Sequence, residues 1–217
     1  MAINLGKDPS LLIAITFFEI FLILIPALIA SKIEKRPIIE EFKEMGFLQK
    51  TNSLKNITLK IFLGLLIGTL FFFFSSFVLS IFTKFIVQTL FGTQFVEQGV
   101  ENAITTEPFN PTITQLIIII TIQIIIVGPC EEGFFRGFII KKSQKKMKLI
   151  YSVILSTFIF TIYHIPPFLV PVSTIITYFG YFFTLGTLLA LTFIFFKNSL
   201  LPSSIAHSMF NILILIF

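Results

Sequence analysis

The sequence lacks tryptophan and has a single cysteine, Cys130, and only two histidines. One cysteine excludes an intrachain disulfide framework. Charged residues are scarce, at 12% of the 217 residues, roughly half the share typical of a soluble domain. The absence of tryptophan leaves any aromatic belt at a membrane interface to tyrosine and phenylalanine.

Apolar residues dominate what is present: 55% of the chain is hydrophobic, and there are 30 phenylalanines. This composition indicates an integral membrane protein, which we expect to cross a cell membrane several times. The net charge of +5 does not predict a nucleic-acid partner, because the basic residues cluster beside the apolar runs and act there as topology signals.

Six apolar stretches predict an all-α, polytopic membrane helix bundle with about six transmembrane helices. A helix needs about 20 residues to span the hydrocarbon core, so the two shortest stretches, the fourth and sixth, suggest a tilted or re-entrant helix. We expect one membrane domain over residues 1–217. The stretches are residues 11–30, 57–82 with a possible continuation to 90, 113–140, 151–164, 172–196 and 202–217.

The connecting segments carry the topology signal. Seven basic residues follow the first stretch, five follow the third and one follows the fifth, which predicts that these loops are cytoplasmic and that both termini face outside. Residues 31–60, with apolar side chains near helical spacing, predict an amphipathic helix on the membrane surface; a solvated loop is the alternative. Residues 91–111, with Glu97, Glu101 and Glu107, predict a polar loop closed by Pro108 and Pro111.

Small residues within the stretches predict close helix packing. They form two pairs at GxxxG spacing and a further group in the fifth stretch: Gly64 and Gly68, Gly133 and Gly137, and Gly180, Gly186 and Ala190. We expect the second pair to bring its helix, and with it Glu131, close to its partners. Glu19, in the first stretch, is expected to turn toward neighbouring helices rather than toward lipid.

The segment from Gly128 to Gly137 places two carboxylates and a guanidinium within an apolar run. Ionisable groups inside a membrane span are functional candidates by default. Glu132 and Arg136 are four residues apart, so they can pair on one helix face and scaffold the site, whereas Glu131 points about 100° away. Glu131 is therefore the candidate general base, and an ion-pair network without catalysis is the alternative.

Three more polar residues lie in apolar helices. His207 and Asn211 share a face of the sixth stretch and could hold an oxyanion, while His164 ends the fourth. Counted at about 1.5 Å per residue, His164 lies deeper than Glu131 and His207, so the three meet only if the short fourth helix tilts. Cys130 is expected to be an inert, buried thiol.

These motifs, Glu131-Glu132-xxx-Arg136, Phe160-xxx-His164 and His207-xxx-Asn211 in that order, resemble the CPBP family. It comprises CAAX proteases and bacteriocin-processing enzymes, is also called the Abi family, and includes the Rce1-type prenyl-protein endopeptidases. The resemblance covers about the last half of the chain, so residues 111–217 form the expected catalytic core and residues 1–110 carry no motif.

The resemblance implies an intramembrane endopeptidase. In it, Glu131 would activate water with help from His164, His207 and Asn211 would stabilise the oxyanion, and Glu132 would hold Arg136. The family was first classed as metalloproteases, so zinc on Glu131, His164 and His207 is a second possibility, although no cofactor is required in the preferred interpretation.

The expected partners are the lipid bilayer and a peptide or protein substrate, such as a prenylated CAAX tail or a peptide leader. Two other functions stay open at this point. One is a catalytically silent member of the family that acts as an immunity or scaffold protein, and the other is an ion-coupled transporter that uses the glutamates as a relay.

Overall fold

The computed structural model describes residues 4–5, 7–47, 53–106 and 109–217. Within these residues it is an all-α bundle of 8 helices, which confirms the predicted fold class. The helices are α1 Pro9–Glu34, α2 Ile38–Met45, α3 Leu54–Phe91, α4 Thr93–Glu101, α5 Ile113–Gln144, α6 Leu149–His164, α7 Val172–Phe195 and α8 Leu200–Ile216.

Each of the six predicted apolar stretches forms a helix. Helices α1, α3, α5 and α7 are long and apolar enough to cross a membrane. Helices α6 and α8 are apolar but have 16 and 17 residues, at the lower limit for a spanning helix of about 17 residues. Their full crossing of the bilayer therefore stays a prediction.

One end of the bundle, which we call the basic end, gathers the loops after α1, α5 and α7. Lys142, near the end of α5, forms ion pairs with Glu34 of α1 and with Glu41, whose Oε2 lies 2.8 Å from its Nζ. Lys60 of α3 donates a hydrogen bond of 3.0 Å to the hydroxyl of Ser199, just before α8. The loops that the charge pattern assigns to one side of the membrane thus lie together.

The opposite end holds the N-terminal segment, the connection between α3 and α5, and the turn between α6 and α7. Leu5 donates its backbone N–H to the carbonyl of Thr105, with 2.8 Å between N and O. The glutamine side chain of Gln115, at the start of α5, donates to the hydroxyl of Ser10 at 3.1 Å.

The prediction of a loop over residues 91–111 was wrong for residues 93–101, which form α4. Gly92, with φ of 86°, separates α4 from α3, and α4 packs on α7, where Thr174 donates to the carbonyl of Gly99 at 2.8 Å. Tertiary packing stabilises this polar helix, and the apolar pattern does not reveal it. Glu107 and Pro108 of the predicted loop, and Lys50 of the first polar segment, lie outside the described residues.

The glycines of α3 confirm the predicted close packing. A Cβ on Gly64 would meet Ile205 and the carbonyl of Pro202, and one on Gly68 would meet the carbonyl of Ala206, so α3 and α8 lie in direct backbone contact. In α7, Gly186 faces Phe160 of α6.

The second glycine pair packs differently from the prediction. A Cβ on Gly133 would meet the ring of Phe47, and one on Gly137 would meet the backbone of Met45. These glycines therefore accept α2 and the residues after it, rather than a helix that brings a polar partner to Glu131. The pattern identified a close contact but could not identify what makes it.

The polar segment after α1 does contain the predicted amphipathic helix, α2, over eight residues. Its Met45 and Glu41 are buried, and Arg36 donates to Glu41 at 2.5 Å, so the loop alternative does not hold for this part. Partial burial opposes ionisation of Glu44, but hydrogen bonds from Lys145, Arg36 and Lys142 outweigh it and lower the pKa of Glu44 to about 2. The position of α2 on a membrane surface stays a prediction.

Candidate active site

Helix α5 carries both glutamates on a short α-helical turn, Gly128–Glu132, between two π-helical stretches, Gln123–Val127 and Gly133–Ile140. Pro129 has no N–H to donate to the preceding turn, which favours the irregular winding there. Such π turns occur frequently at functional sites because they redirect side chains and release backbone groups.

The predicted pair of Glu132 and Arg136 is formed, with 3.0 Å between Oε1 and Nη1 and both side chains fully buried. Arg136 also donates through Nη2 to the carbonyl of Gly186 at 3.0 Å. Its guanidinium carbon lies 4.7 Å from the ring centroid of Phe160. A single buried cation thus joins α5, α6 and α7, and removing it would leave Glu132 without its compensating charge.

His207 of α8 contacts both glutamates. Its Nδ1 lies 3.0 Å from Oε1 of Glu132, and its Nε2 lies 3.8 Å from Oε2 of Glu131. An ionised carboxylate only accepts hydrogen bonds, so Nδ1 carries the hydrogen. Glu132 therefore fixes the ring of His207 with its other nitrogen directed at Glu131.

His164, at the end of α6, is held in the same way by a different acceptor. Its Nδ1 donates to the carbonyl of Phe160 at 2.9 Å, and its Nε2 lies 3.7 Å from Oε2 of Glu131. The imidazole lies between aromatic rings, with centroid distances of 4.2 Å to Phe160 and 5.0 Å to Phe182. The short helix α6 thus brings His164 close to Glu131 and His207, although the depths counted along straight helices had placed His164 deeper than these two residues.

Glu131 lies between the imidazoles of His164 and His207. It is 4% exposed, and its Oε2 has no hydrogen-bond partner among the described residues. The separations of 3.7 Å and 3.8 Å from the two imidazoles are too long for direct hydrogen bonds. A polar contact longer than about 3.5 Å is one that a water molecule can bridge.

Asn211 lies one turn beyond His207 on α8. Its Nδ2 donates to the side-chain oxygen of Gln123 at 3.1 Å, while Ser208 donates to the Gln123 carbonyl at 2.7 Å. Our sequence analysis missed Gln123. The available signal was a lone amide within a run of isoleucines, in a helix that already carried the two glutamates.

The sequence analysis also missed Tyr163. Its hydroxyl donates to Oε1 of Glu19 at 2.5 Å, so Glu19 turns toward α6, as predicted for this residue. Glu19 lies on a single 3₁₀ turn of α1, Phe18–Ile20. Cys130 is a buried free thiol, as expected.

A cavity of about 370 Å³ extends from the histidines toward the opposite end of the bundle. Its polar lining includes His164, His207 and Asn211, and the rest of the lining is mostly apolar. The wall includes Phe71, Phe160, Phe182, Leu185 and Leu189. The arrangement combines a buried carboxylate and two imidazoles with a largely apolar cavity, which is suited to acid–base chemistry on a bound apolar chain segment.

The same residues have the donor atoms of a metal site. One donor atom each from Glu131, His164 and His207 lies within 4.8 Å of the others, and nitrogen and carboxylate oxygen are common zinc ligands. The donor set therefore fits zinc. Three other carboxylates also lie close enough together to hold a metal ion: Glu34, Glu41 and Glu44. At the basic end they form ion pairs with Arg36, Lys142 and Lys145.

The fold and the site together define a polytopic helical membrane protein in which two histidines line an apolar cavity and a buried glutamate lies beside them. Residues 113–213 match the family model of the Rce1-like proteins, the type II CAAX prenyl endopeptidases, which confirms the resemblance drawn from the motifs. This region runs from the start of α5 into α8 and contains all seven motif residues. No curated protein and no solved structure matches the chain. The match supports a membrane protein of the CAAX-protease type.

Proposed function

We propose that this protein is an intramembrane endopeptidase that hydrolyses a peptide bond near the membrane with water activated by Glu131. The observation that carries the proposal is the approach of Oε2 of Glu131 to the Nε2 atoms of His164 and His207, at 3.7 Å and 3.8 Å, where both imidazoles line a cavity. The family match supports it, because the matched family consists of endopeptidases.

The geometry supports a water nucleophile. A water molecule within about 2.8 Å of two acceptors can bridge groups that are 3.7 Å apart. In the neutral imidazole of His164, Nδ1 holds the hydrogen, so Nε2 is an acceptor and can orient the water toward the substrate. Glu131 takes the proton as the water oxygen bonds to the carbonyl carbon, and then delivers a proton to the leaving nitrogen as the C–N bond breaks.

Helix α8 supplies hydrogen-bond donors for the tetrahedral oxyanion. A protonated His207 donates from Nε2, and its positive charge balances the second of the two buried carboxylates. Asn211 uses one Nδ2 hydrogen on Gln123 and retains the other for the oxyanion. Donors fixed in this way stabilise the transition state without reorganisation.

Glu132 and Arg136 act as positioning residues in this proposal. Oε1 of Glu132 forms an ion pair with Arg136 and accepts a hydrogen bond from Nδ1 of His207, so Glu132 sets the ring orientation of His207. Its fully buried carboxylate lies against Arg136 and His207, so we assign it to positioning these two side chains.

The alternative is that the same site binds a zinc ion. Glu131, His164 and His207 would hold the ion, which would polarise the substrate carbonyl and make bound water more acidic. Our preferred mechanism requires no cofactor. We propose that this enzyme is a multi-pass protein of the cell membrane. Its proposed substrate is a peptide or protein, either a prenylated CAAX tail or a peptide leader.

The test is peptide cleavage by detergent-purified protein, with wild type beside Glu131→Ala and with and without a zinc chelator. Both a prenylated CAAX peptide and a leader-type peptide are offered. The proposal predicts cleavage that resists the chelator and falls by about 10²–10⁴-fold in Glu131→Ala, the usual contribution of a general base. Glu44→Ala is the matched control, because it removes a carboxylate at the basic end, far from the cavity.

Cleavage that survives in Glu131→Ala would overturn the proposed mechanism. Cleavage that the chelator abolishes would favour the zinc form of the site. A well-folded wild type that binds both peptides and cleaves neither would favour the silent scaffold function.

A further inference from the structure

The last turn of α6, which ends at His164, is weakly held by its own backbone. Two prolines follow the helix, Pro166 and Pro167, and neither has an N–H. The carbonyls of Ile162 and Tyr163 therefore lack the donor that a residue four positions later normally supplies. Helix ends of this kind open locally at little cost in free energy, so the position of His164 depends on side-chain contacts with other helices.

Tyr163 supplies a directional contact of this kind. The hydroxyl of Thr161 and Nδ1 of His164 bond to carbonyls of α6 itself. The hydroxyl of Tyr163 instead donates to Oε1 of Glu19 in α1, at 2.5 Å. The ring of Tyr163 also packs on Phe135 of α5, with 5.7 Å between the ring centroids. The hydrogen bond thus joins α6 to α1 at the residue before His164.

Glu19 lies against the segment of α5 that carries the two adjacent glutamates. It belongs to the 3₁₀ turn Phe18–Ile20, and this turn packs on Gly128–Glu132. The carboxylate of Glu19 interacts electrostatically with Glu131 and with His207. A carboxylate within a membrane span is costly to place, and packing of α1 on α5 alone does not require one. Glu19 is therefore a candidate for a role in the site.

We propose that Glu19 and Tyr163 are positioning residues. Their hydrogen bond fixes the last turn of α6 and thereby the distance from His164 to Glu131. This inference rests on the proposed function for the reaction itself. One bridging water requires Nε2 of His164 and Oε2 of Glu131 to stay near their separation of 3.7 Å, and a displacement of about 1 Å can lower a catalytic rate about 100-fold. Helix α1 lies outside the matched residues 113–213, so it contributes to the site a contact that the motifs do not contain.

Tyr163→Phe removes the hydroxyl and retains the ring. Tyr163 is 38% exposed at the surface of the bundle, so phenylalanine is compatible with the fold there. We expect kcat to fall at least about 10-fold with little change in KM, because the variant displaces the groups that hold the water. Tyr151→Phe is the matched control, since it makes the same change at an exposed residue near the start of α6. A wild-type kcat in Tyr163→Phe would overturn the inference.

Two variants of Glu19 test whether the two residues act through one hydrogen bond. Glu19→Gln keeps a carbonyl oxygen that can accept from Tyr163, whereas Glu19→Leu removes the acceptor. We expect Glu19→Gln to be several-fold faster than Glu19→Leu. The double variant Glu19→Leu/Tyr163→Phe should be no slower than the slower single variant, because both changes remove the same bond. It also leaves no unpaired group, so it serves where a single variant does not fold. Losses of kcat that multiply in the double variant would contradict a shared role.

Chemical modification of histidine tests the placement of His164 without any activity. The chain has two histidines, so diethyl pyrocarbonate followed by peptide mass spectrometry reports on His164 and His207 separately. We expect Tyr163→Phe to raise the modification rate of His164 several-fold and to leave that of His207 unchanged. An unchanged rate at His164 would show that the pair does not position it. An equal rise at both histidines would show a general loosening of the bundle and would also overturn the inference.

Failure of the proposed function and failure of this inference give different results. Absence of cleavage by the wild type would reject the peptidase, and the modification rates would still decide whether the pair positions His164. Wild-type cleavage that Tyr163→Phe retains in full would reject the inference alone.

Discussion

Replacing Arg136 with methionine should destabilise the bundle severely, because it leaves a buried carboxylate without its counter-charge. Glu132 is fully buried and pairs with Arg136 at 3.0 Å, and the guanidinium also satisfies the carbonyl of Gly186. Breaking a buried ion pair by removing one partner costs about 3–5 kcal/mol. At roughly 2–4 °C per kcal/mol for a chain of this size, Arg136→Met should lower the unfolding temperature by about 6–20 °C.

The double variant Glu132→Gln/Arg136→Met separates the lost charge balance from the lost packing. With both charges gone, we expect it to recover about 0.5–3 kcal/mol relative to Arg136→Met, the usual range of coupling between contacting residues. Thermal unfolding of the purified proteins in one detergent measures all variants.

Lys145→Met is the matched control for the same change of side chain. Lys145 pairs with Glu44 at the basic end and is 49% exposed, so its loss should cost less than about 1 kcal/mol. The reasoning fails if Arg136→Met unfolds within 2 °C of Lys145→Met, or if the double variant is less stable than the single.

Three other changes test separate parts of the structure. Gly137→Ala should destabilise the protein by about 1–3 kcal/mol, since a Cβ there meets the backbone of Met45; unchanged thermal unfolding would contradict this docking of α2. Gln123→Leu should lower kcat several-fold with little change in KM, because Asn211 loses the acceptor that orients it; a changed KM alone in the cleavage assay would argue for substrate binding instead. Glu44→Gln should lower the free energy of unfolding by about 1 kcal/mol at neutral pH. Because the pKa of Glu44 is lowered to about 2 in the folded state, this loss of stability relative to wild type should be complete above about pH 4.5 and should vanish as the pH falls toward 2. A stability difference that grows in acid would refute the pairing.

Much of the fold could be predicted because membrane helices are encoded locally. Runs of apolar residues fix where the helices lie, and the spacing of four residues put Glu132 with Arg136 on one face. The same spacing grouped His207 with Asn211 before any tertiary contact was known. Gly64 and Gly68 likewise predicted a close contact, which α8 makes.

The remaining features depend on contacts between distant segments. No periodic pattern in the sequence predicts three of these features. They are the π turns on both sides of the glutamates, the contact of Phe47 with Gly133, and the packing of helix α4 on α7. Gln123 acquires its role only because α8 places Asn211 and Ser208 beside it. A lone amide on one helix does not specify its partner 85 or more residues away.

The measurement that tests the central claim most directly is the source of the oxygen in the new carboxyl group. A single turnover with excess enzyme in H₂¹⁸O, analysed by mass spectrometry, should give product with one ¹⁸O atom if water held by Glu131 attacks the peptide carbonyl, and Glu131→Gln should give no product. Unlabelled product from the first turnover would contradict the account, because the oxygen would then come from the protein, through a covalent intermediate.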